Sequence, residues 1–320
     1  MNVQPPWRAR ASALPPQTSQ WPDPKSAGLM RRAAFASVCV SAVLVVVKLL
    51  AFAATGSVAI MAALADSAVD LVASFGNLLA VRQSLTPADR QHRFGHGKAE
   101  PLAGLAQAAF ITGSATFLVF ESVQHLVEPH PLQNELTGVA VMIFSIAATF
   151  GLVSFQRLVV RRTGSPAISA DNLHYVGDLL TNFGVIAGIL LSTRYHWYVA
   201  DPLIGLAIAG VIGWSAWHVF HQSYDQLMDH ELPELDRQRI KTIVLANPNV
   251  RGVHDLRTRS AGTQSFIQLH LEMDPAMSLT QAHEASDEVE ESLLKVFPGA
   301  EIIIHQDPHG IEQPPALALS

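Results

Sequence analysis

From Ala33 to His221 the chain is written mostly in Ala, Val, Leu, Ile and Gly, interrupted by short polar stretches. A bilayer core of about 30 Å is crossed by about 20 apolar residues of helix. Six segments meet that length: about 33–53, 58–82, 100–126, 136–158, 168–192 and 199–221. Two of them are less apolar than the rest. The second carries Asp66, Ser67, Asp70, Ser74 and Asn77, which recur along one helical face. The fifth carries Asp171, Asn172, His174, Tyr175, Asp178, Thr181 and Asn182, again on one face.

After His221 the pattern becomes that of a soluble domain. Pro233–Ala246 reads as a short helix with apolar Leu235, Ile240, Ile243 and Val244. Val253–Ser260 and Gln264–Met273 alternate as strands do, with Ala261–Gly262 as the turn between them. Ser278 caps a helix running to Phe297, with Leu279, Ala282, Val289, Leu293 and Leu294 at helical spacing, and Ala300–Gln306 is a last strand. The expected fold is a polytopic α-helical membrane protein of six transmembrane helices with a C-terminal α+β domain. Its expected boundaries are 1–29 for a disordered cytoplasmic tail, 30–225 for the membrane domain, 226–312 for the cytoplasmic domain and 313–320 for a tail. The first 28 residues hold six prolines and no apolar run, and they do not read as a signal peptide.

Composition agrees with that division. Apolar residues make up 49% and charged residues 15%, against about 25% charged in soluble domains. A net charge of −6 argues against a nucleic-acid partner. The single Cys39 excludes both an internal disulfide and a Cys-rich zinc module. Lys and Arg gather before the first segment and in the second and fourth breaks (Arg82, Arg90, Arg93, Lys98, Arg157, Arg161 and Arg162), which puts both termini in the cytoplasm. Lys48, near the outer end of the first helix, is expected to snorkel, and no role is assigned to it.

The two polar stripes hold the chemistry. Each contains an i, i+4 pair of metal-ligand types, Asp66 with Asp70 and His174 with Asp178. One Asp near a helix centre costs about 2.5–3.5 kcal/mol to insert, so three cost on the order of 8–10 kcal/mol, with no Lys or Arg close in sequence to offset them. A dication cancels such charge, and three carboxylates with one imidazole suit Zn²⁺, Fe²⁺, Mn²⁺ or Cd²⁺. A proton relay without a metal is the rival use of the same acids. A second cluster, Asp89, His92 and His96, lies in the loop after segment two, where one helical turn or a tight loop gathers it; unrelated loop histidines are the alternative. A third comprises His254, His270, His283, His305 and Asp307 of the soluble domain, the last two flanking Gln306 and so sharing a strand face. His125, His130, His196, His218, His221, His230 and His309 cluster with nothing. There is no HExxH, GxxxxGK[ST] or GxSxG string, so ATP-driven transport and those hydrolytic chemistries are not indicated.

Asp66-xxx-Asp70, FGHGKAE at 94–100, His174-xxx-Asp178, HDLRTR at 254–259 and IIIHQDP at 302–308 occur in this order. In these strings the chain resembles the cation diffusion facilitators, and among them the bacterial ferrous-iron and zinc efflux subgroup, over about residues 30–310. The resemblance implies a homodimer in the bacterial inner membrane, with a metallochaperone-like cytoplasmic domain, exporting divalent metal against protons. It implies a transport site of Asp66, Asp70, His174 and Asp178, a loop site of Asp89, His92 and His96, and a binuclear cytoplasmic site of His254, His270, His283, His305 and bridging Asp307. It also pairs Lys98 with Asp229 as interlocking charges at the dimer hinge. The His-rich loop of eukaryotic vesicle members is missing from Arg161–Ala167.

The expected cycle takes Zn²⁺ or Fe²⁺, with Cd²⁺ and Mn²⁺ as further substrates, from the cytoplasm and releases it as a proton binds. His174 is the natural proton acceptor, because an ordinary imidazole titrates near 6.5 and must be neutral to hold metal. Metal on the other two sites is expected to regulate rather than to be carried. Two other classes stay open on the sequence: a proton-coupled carrier of another solute, and an intramembrane metal-dependent hydrolase, for which no spare general base is evident.

Overall fold

The computed structural model describes residues 24–55, 58–127, 136–195 and 199–310. Residues 1–23 of the expected tail, the tail at 313–320, and His130 and His196 lie outside them. The described chain divides into two units, one essentially Lys25–Met228 and the other from Asp229 onward.

The first unit consists of six long helices: α1 (Pro24–Thr55), α2 (Val58–Ser84), α3 (Ala99–Val127), α4 (Leu136–Thr163), α5 (Pro166–Tyr195) and α6 (Ala200–Leu227). Helix α1 begins at Pro24, so residues 24–29, expected in the tail, are helical instead. A proline at the first helical position loses no hydrogen bond and arrives with its φ already set. Five of the six helices are long and apolar enough to cross a membrane by length and composition, counted among the described residues. Helix α5, at 30 residues, is of similar length, but carries the polar stripe expected of segment five.

Local sequence explains the joints. Helix α4 ends at Gly164, whose φ of 66° suits the left-handed residue past a helix end, and its N–H reaches Val160 O. Ser165 then caps α5, accepting from Ile168 N, and Pro166 follows as the first helical residue. Helices α3 and α6 approach closely through small residues. A Cβ on Gly104 would come within 2.2 Å of Ser223 Oγ, and one on Gly205 within 2.3 Å of Ser122 Oγ. At one end of the bundle Met30, Ala33 and Ala34 pack with Val81, Leu85, Val159 and Ile168. The outward faces carry exposed Phe35, Val72, Phe117, Trp214 and Trp217, as lipid-facing helices do.

The second unit is α7 (Glu234–Leu245), β1 (Gly252–Ala261), β2 (Gln264–Met273), α8 (Leu279–Val296) and β3 (Glu301–Pro308), the element order the sequence predicts. The sheet order is β1-β2-β3. Gly262, at φ 63°, makes the tight turn between β1 and β2, and β3 returns parallel to β2 through α8, pairing His270 with His305 and Glu272 with Asp307. Ser278 and Gln281 form a reciprocal capping box at the start of α8. Ile267, Leu269, Leu271 and Met273 turn one sheet face onto Ile240, Val244, Val289 and Leu293 of the two helices. Leu235 and Leu279, expected in the apolar stripes, are exposed instead, because each sits in the first turn of its helix, beyond the reach of the sheet.

Candidate metal centres

Alternation along α2 and α5 turns both polar stripes inward. Asp70 Oδ1 lies 2.9 Å from His174 Nε2, and Asp178 Oδ2 lies 3.9 Å from the same nitrogen. Asp70 and His174 are buried and Asp178 is half-buried, and one ligand atom from each falls within 4.8 Å of the others. Asp66, one turn from Asp70, is not in that group. It lines the same cavity of about 760 Å³, with Asp70, His174, Asp178, Glu121 and Lys48. Three of the four expected ligands are therefore brought together and the fourth stands in the wall beside them.

Lys48 corrects the sequence reading. Its Nζ does not turn out to an interface but inward, donating to Ser67 Oγ at 2.6 Å and to Ala63 O at 3.1 Å, and it lines the cavity. The three carboxylates thus have a resident cation that lies close in space, though not in sequence. With a dication bound, the three Asp and Lys48 sum to zero charge, while Glu121 in the same cavity wall adds a further carboxylate. No periodicity signals this, since Lys48 is a lone charge in an apolar run.

The remaining stripe residues do the packing work expected of intramembrane polar groups. Ser74 and the buried Tyr175 share a hydrogen bond of 2.7 Å, and Thr181 Oγ1 donates to Gly177 O. Asp171 is fully buried and accepts from Ser37 Oγ and, at 2.6 Å, from Gln156 Nε2, while Asn172 donates to Val153 O. Glu100 is fully buried as well, accepting from Ser84 and Ser165 and so tying α2, α3 and α5 together.

The loop cluster forms through a tight loop, not a helical turn. Asp89 Oδ1 accepts the N–H groups of Gln91 and His92, and Gly95, at φ 77°, closes back on His92 O. Those two N–H bonds, His92 first, hold the Asp89 carboxyl below the usual carboxylate range. His92 Nδ1 lies 3.4 Å from Asp89 Oδ1 and His96 Nε2 3.5 Å from Oδ2. His96 Nδ1 faces Thr86 O at 3.3 Å, which leaves Nε2 for a metal. All three expected ligands converge.

In the second unit His254, His270 and Asp307 converge on the sheet face opposite the helices. Asp307 Oδ2 is 2.8 Å from His270 Nδ1 and 3.3 Å from His254 Nε2, and its Oδ1 is 3.3 Å from His305 Nε2. That geometry suits Asp307 to a bridging place. His283 does not join them: it lies on α8, 69% exposed, 3.7 Å from Asp287. The reason is the strand period of two. Gln306 faces α8, donating to Ser286 Oγ, so His305 and Asp307 on either side of it face away from the helix.

Sequence reasoning missed three residues here. Asp255 takes φ 46°, and this kink lets consecutive His254 and Asp255 both reach the ligand face, Asp255 Oδ2 lying 3.7 Å from His270. Glu272 and His309, the latter read as clustering with nothing, also join the cluster's edge. Lys98 Nζ donates to Leu227 O, and Asp229, at φ 55°, pairs with Arg259 at 3.3 Å.

A membrane-embedded carboxylate–imidazole cavity, joined to a small α+β domain carrying a second such cluster, defines a metal-ion transporter of the membrane. Residues 34–228 match the cation efflux transmembrane domain and residues 232–309 the cytoplasmic domain of cation efflux proteins. The cation-efflux pump FieF of Klebsiella pneumoniae is 49% identical over 283 residues, 88% of this chain and 94% of that one. The protein of the same name from Escherichia fergusonii is 49% identical over 280 residues, 88% and 93% of the two chains. The metal-bound C-terminal domain of the CzcD transporter from Thermotoga maritima is 29% identical, covering 25% of this chain and 100% of that one at a TM-score of 0.24. The chain belongs to the cation efflux family of cation diffusion facilitators. It is a transporter of metal cations.

Proposed function

We propose that this chain is a proton-coupled antiporter of the bacterial inner membrane. It exports Zn²⁺ or Fe²⁺, and Cd²⁺, from the cytoplasm through Asp66, Asp70, His174 and Asp178. The observation that carries this is the meeting of Asp70, His174 and Asp178 from two different helices around one point in a cavity of the membrane unit. Asp66 needs only to swing from the cavity wall to complete four-coordination. The histidine couples metal to protons: a neutral imidazole binds the ion, and protonation of that nitrogen releases it on the far side. Lys48 stays in the cavity throughout, and the one proton that arrives replaces one of the two positive charges the departing ion removes.

The loop cluster and the cytoplasmic cluster act as regulatory sites, stiffening a homodimer whose termini lie in the cytoplasm. His283, exposed and away from the cluster of its own sheet, supplies a ligand to the second copy. Lys98 and Asp229 stand at the hinge between membrane and cytoplasmic parts. Proteoliposomes with an imposed pH gradient test the transport reading. Wild-type vesicles are expected to accumulate Zn²⁺ in proportion to the gradient and Asp70→Ala vesicles not at all. Undiminished flux in Asp70→Ala, or flux indifferent to the gradient, would overturn the assignment.

A further inference from the structure

The two histidines that flank Glu272 use the same nitrogen toward it. Glu272 Oε1 lies 2.9 Å from His254 Nδ1, and Oε2 lies 2.7 Å from His309 Nδ1. A carboxylate can only accept, so both imidazoles donate through Nδ1. For His254 this places a proton on Nδ1 and leaves Nε2, 3.3 Å from Asp307 Oδ2, as the nitrogen whose lone pair a metal would take.

We propose that Glu272 and His309 are positioning residues that hold His254 in its metal-binding tautomer, His309 acting through Glu272. This rests on the reading of His254, His270 and Asp307 as a divalent-metal site.

The surroundings are built for this relay. Backbone bonds fix both ends to β2: Arg251 N donates to Glu272 O at 2.8 Å, and His309 N donates to Met273 O at 2.7 Å. Gly252 leaves the room that the carboxylate occupies, since a Cβ there would come within 2.9 Å of Oε2 and 3.0 Å of Cδ. His309 faces Glu272, not Asp307, so it is an outer partner and not another ligand.

The test uses the full chain in detergent with Asp70→Ala and Asp89→Ala, which leaves the cytoplasmic cluster as the Zn²⁺ site to titrate. Glu272→Gln is expected to weaken Zn²⁺ binding by about 10–100-fold, the usual cost of an outer-shell partner. His309→Ala is expected to weaken it less, and the double variant no more than Glu272→Gln alone, because both act along one line. Imidazole ¹⁵N NMR without metal supplies the independent readout: His254 as the Nδ1–H tautomer in the parent and a tautomer mixture in Glu272→Gln and Gly252→Ala. An unchanged tautomer, or additive losses in the double variant, overturns the relay. Zn²⁺ binding that survives Asp307→Ala overturns the site reading itself, and with it the metal role of the relay, while the NMR result still reports whether Glu272 sets the tautomer.

Discussion

Asp70 Oδ1 and His174 Nε2 stand 2.9 Å apart although 104 residues separate them in the chain. Neither helix offers the other a packing reason to bury a carboxylate and an imidazole, and a pair of neutral side chains would join the helices more cheaply. Such a contact is what the proposed metal site requires of these two residues. Asp70→Asn preserves the shape and removes the charge. It is expected to lower Zn²⁺ affinity at this site by more than about 100-fold, beyond the range of an outer-shell change. Calorimetry on protein with the other two clusters disabled checks it. The companion His174→Asp is expected to move preference toward Mn²⁺, since carboxylate oxygen suits harder ions. An unchanged order among Zn²⁺, Cd²⁺ and Mn²⁺ would contradict that account of selectivity.

Lys48 sets the electrostatic background of the same cavity. A cation lining the same cavity as a dication repels it by on the order of 1 kcal/mol or more at an effective dielectric of about 20–80. Lys48→Met is therefore expected to hold Zn²⁺ about tenfold more tightly and to release it more slowly, so that transport falls while equilibrium binding rises. Weaker binding in Lys48→Met would mean that the amine organises the ligands through Ser67 instead of balancing their charge.

The fully buried Asp171 depends on the donors around it. Gln156→Leu removes the Nε2 bond of 2.6 Å and leaves the carboxylate to Ser37. Loss of a donor to a buried charge costs about 1–3 kcal/mol or more. A clear drop in melting temperature in detergent is expected, partly recovered by Asp171→Asn in the same chain, because the neutral amide has less to lose.

Glu290 of α8 is half-buried, and this desolvation, with the like charge of Asp287, pushes its carboxyl above the usual range. A raised folded value means that the protonated form is favoured by folding. The sign follows: Glu290 contributes stability at low pH that is lost as pH rises through its folded value. Glu290→Gln should therefore raise the melting temperature of the cytoplasmic unit slightly at pH 7 and leave it unchanged near pH 4. An equal rise at both pH values would point to a packing effect.

Much of this protein was legible in one dimension, for a definite reason. Helices repeat every 3.6 residues and strands every two, so apolar periodicity placed the helices and strands, and the polar stripes on α2 and α5 identified Asp66, Asp70, His174 and Asp178. The same strand period put His305 and Asp307 on one face, and the candidate loop ligands Asp89, His92 and His96 lay close enough in sequence to be seen as a group.

What periodicity cannot carry is the direction of a long side chain, or a partner contributed by a distant element. Lys48 faces the cavity because Ser67 and Ala63 of another helix accept its protons there. His309 matters because β3 ends beside Glu272 of β2, and Asp255 because a left-handed kink turns it onto the ligand face. His283 shares the ligand chemistry of its neighbours but sits on the helix that covers the opposite side of the sheet. Local sequence determined which residues were polar and on which face of their own element they lay. Only the packing of elements far apart in the chain decided which of them meet, because contact depends on the positions of both partners and a local pattern specifies one.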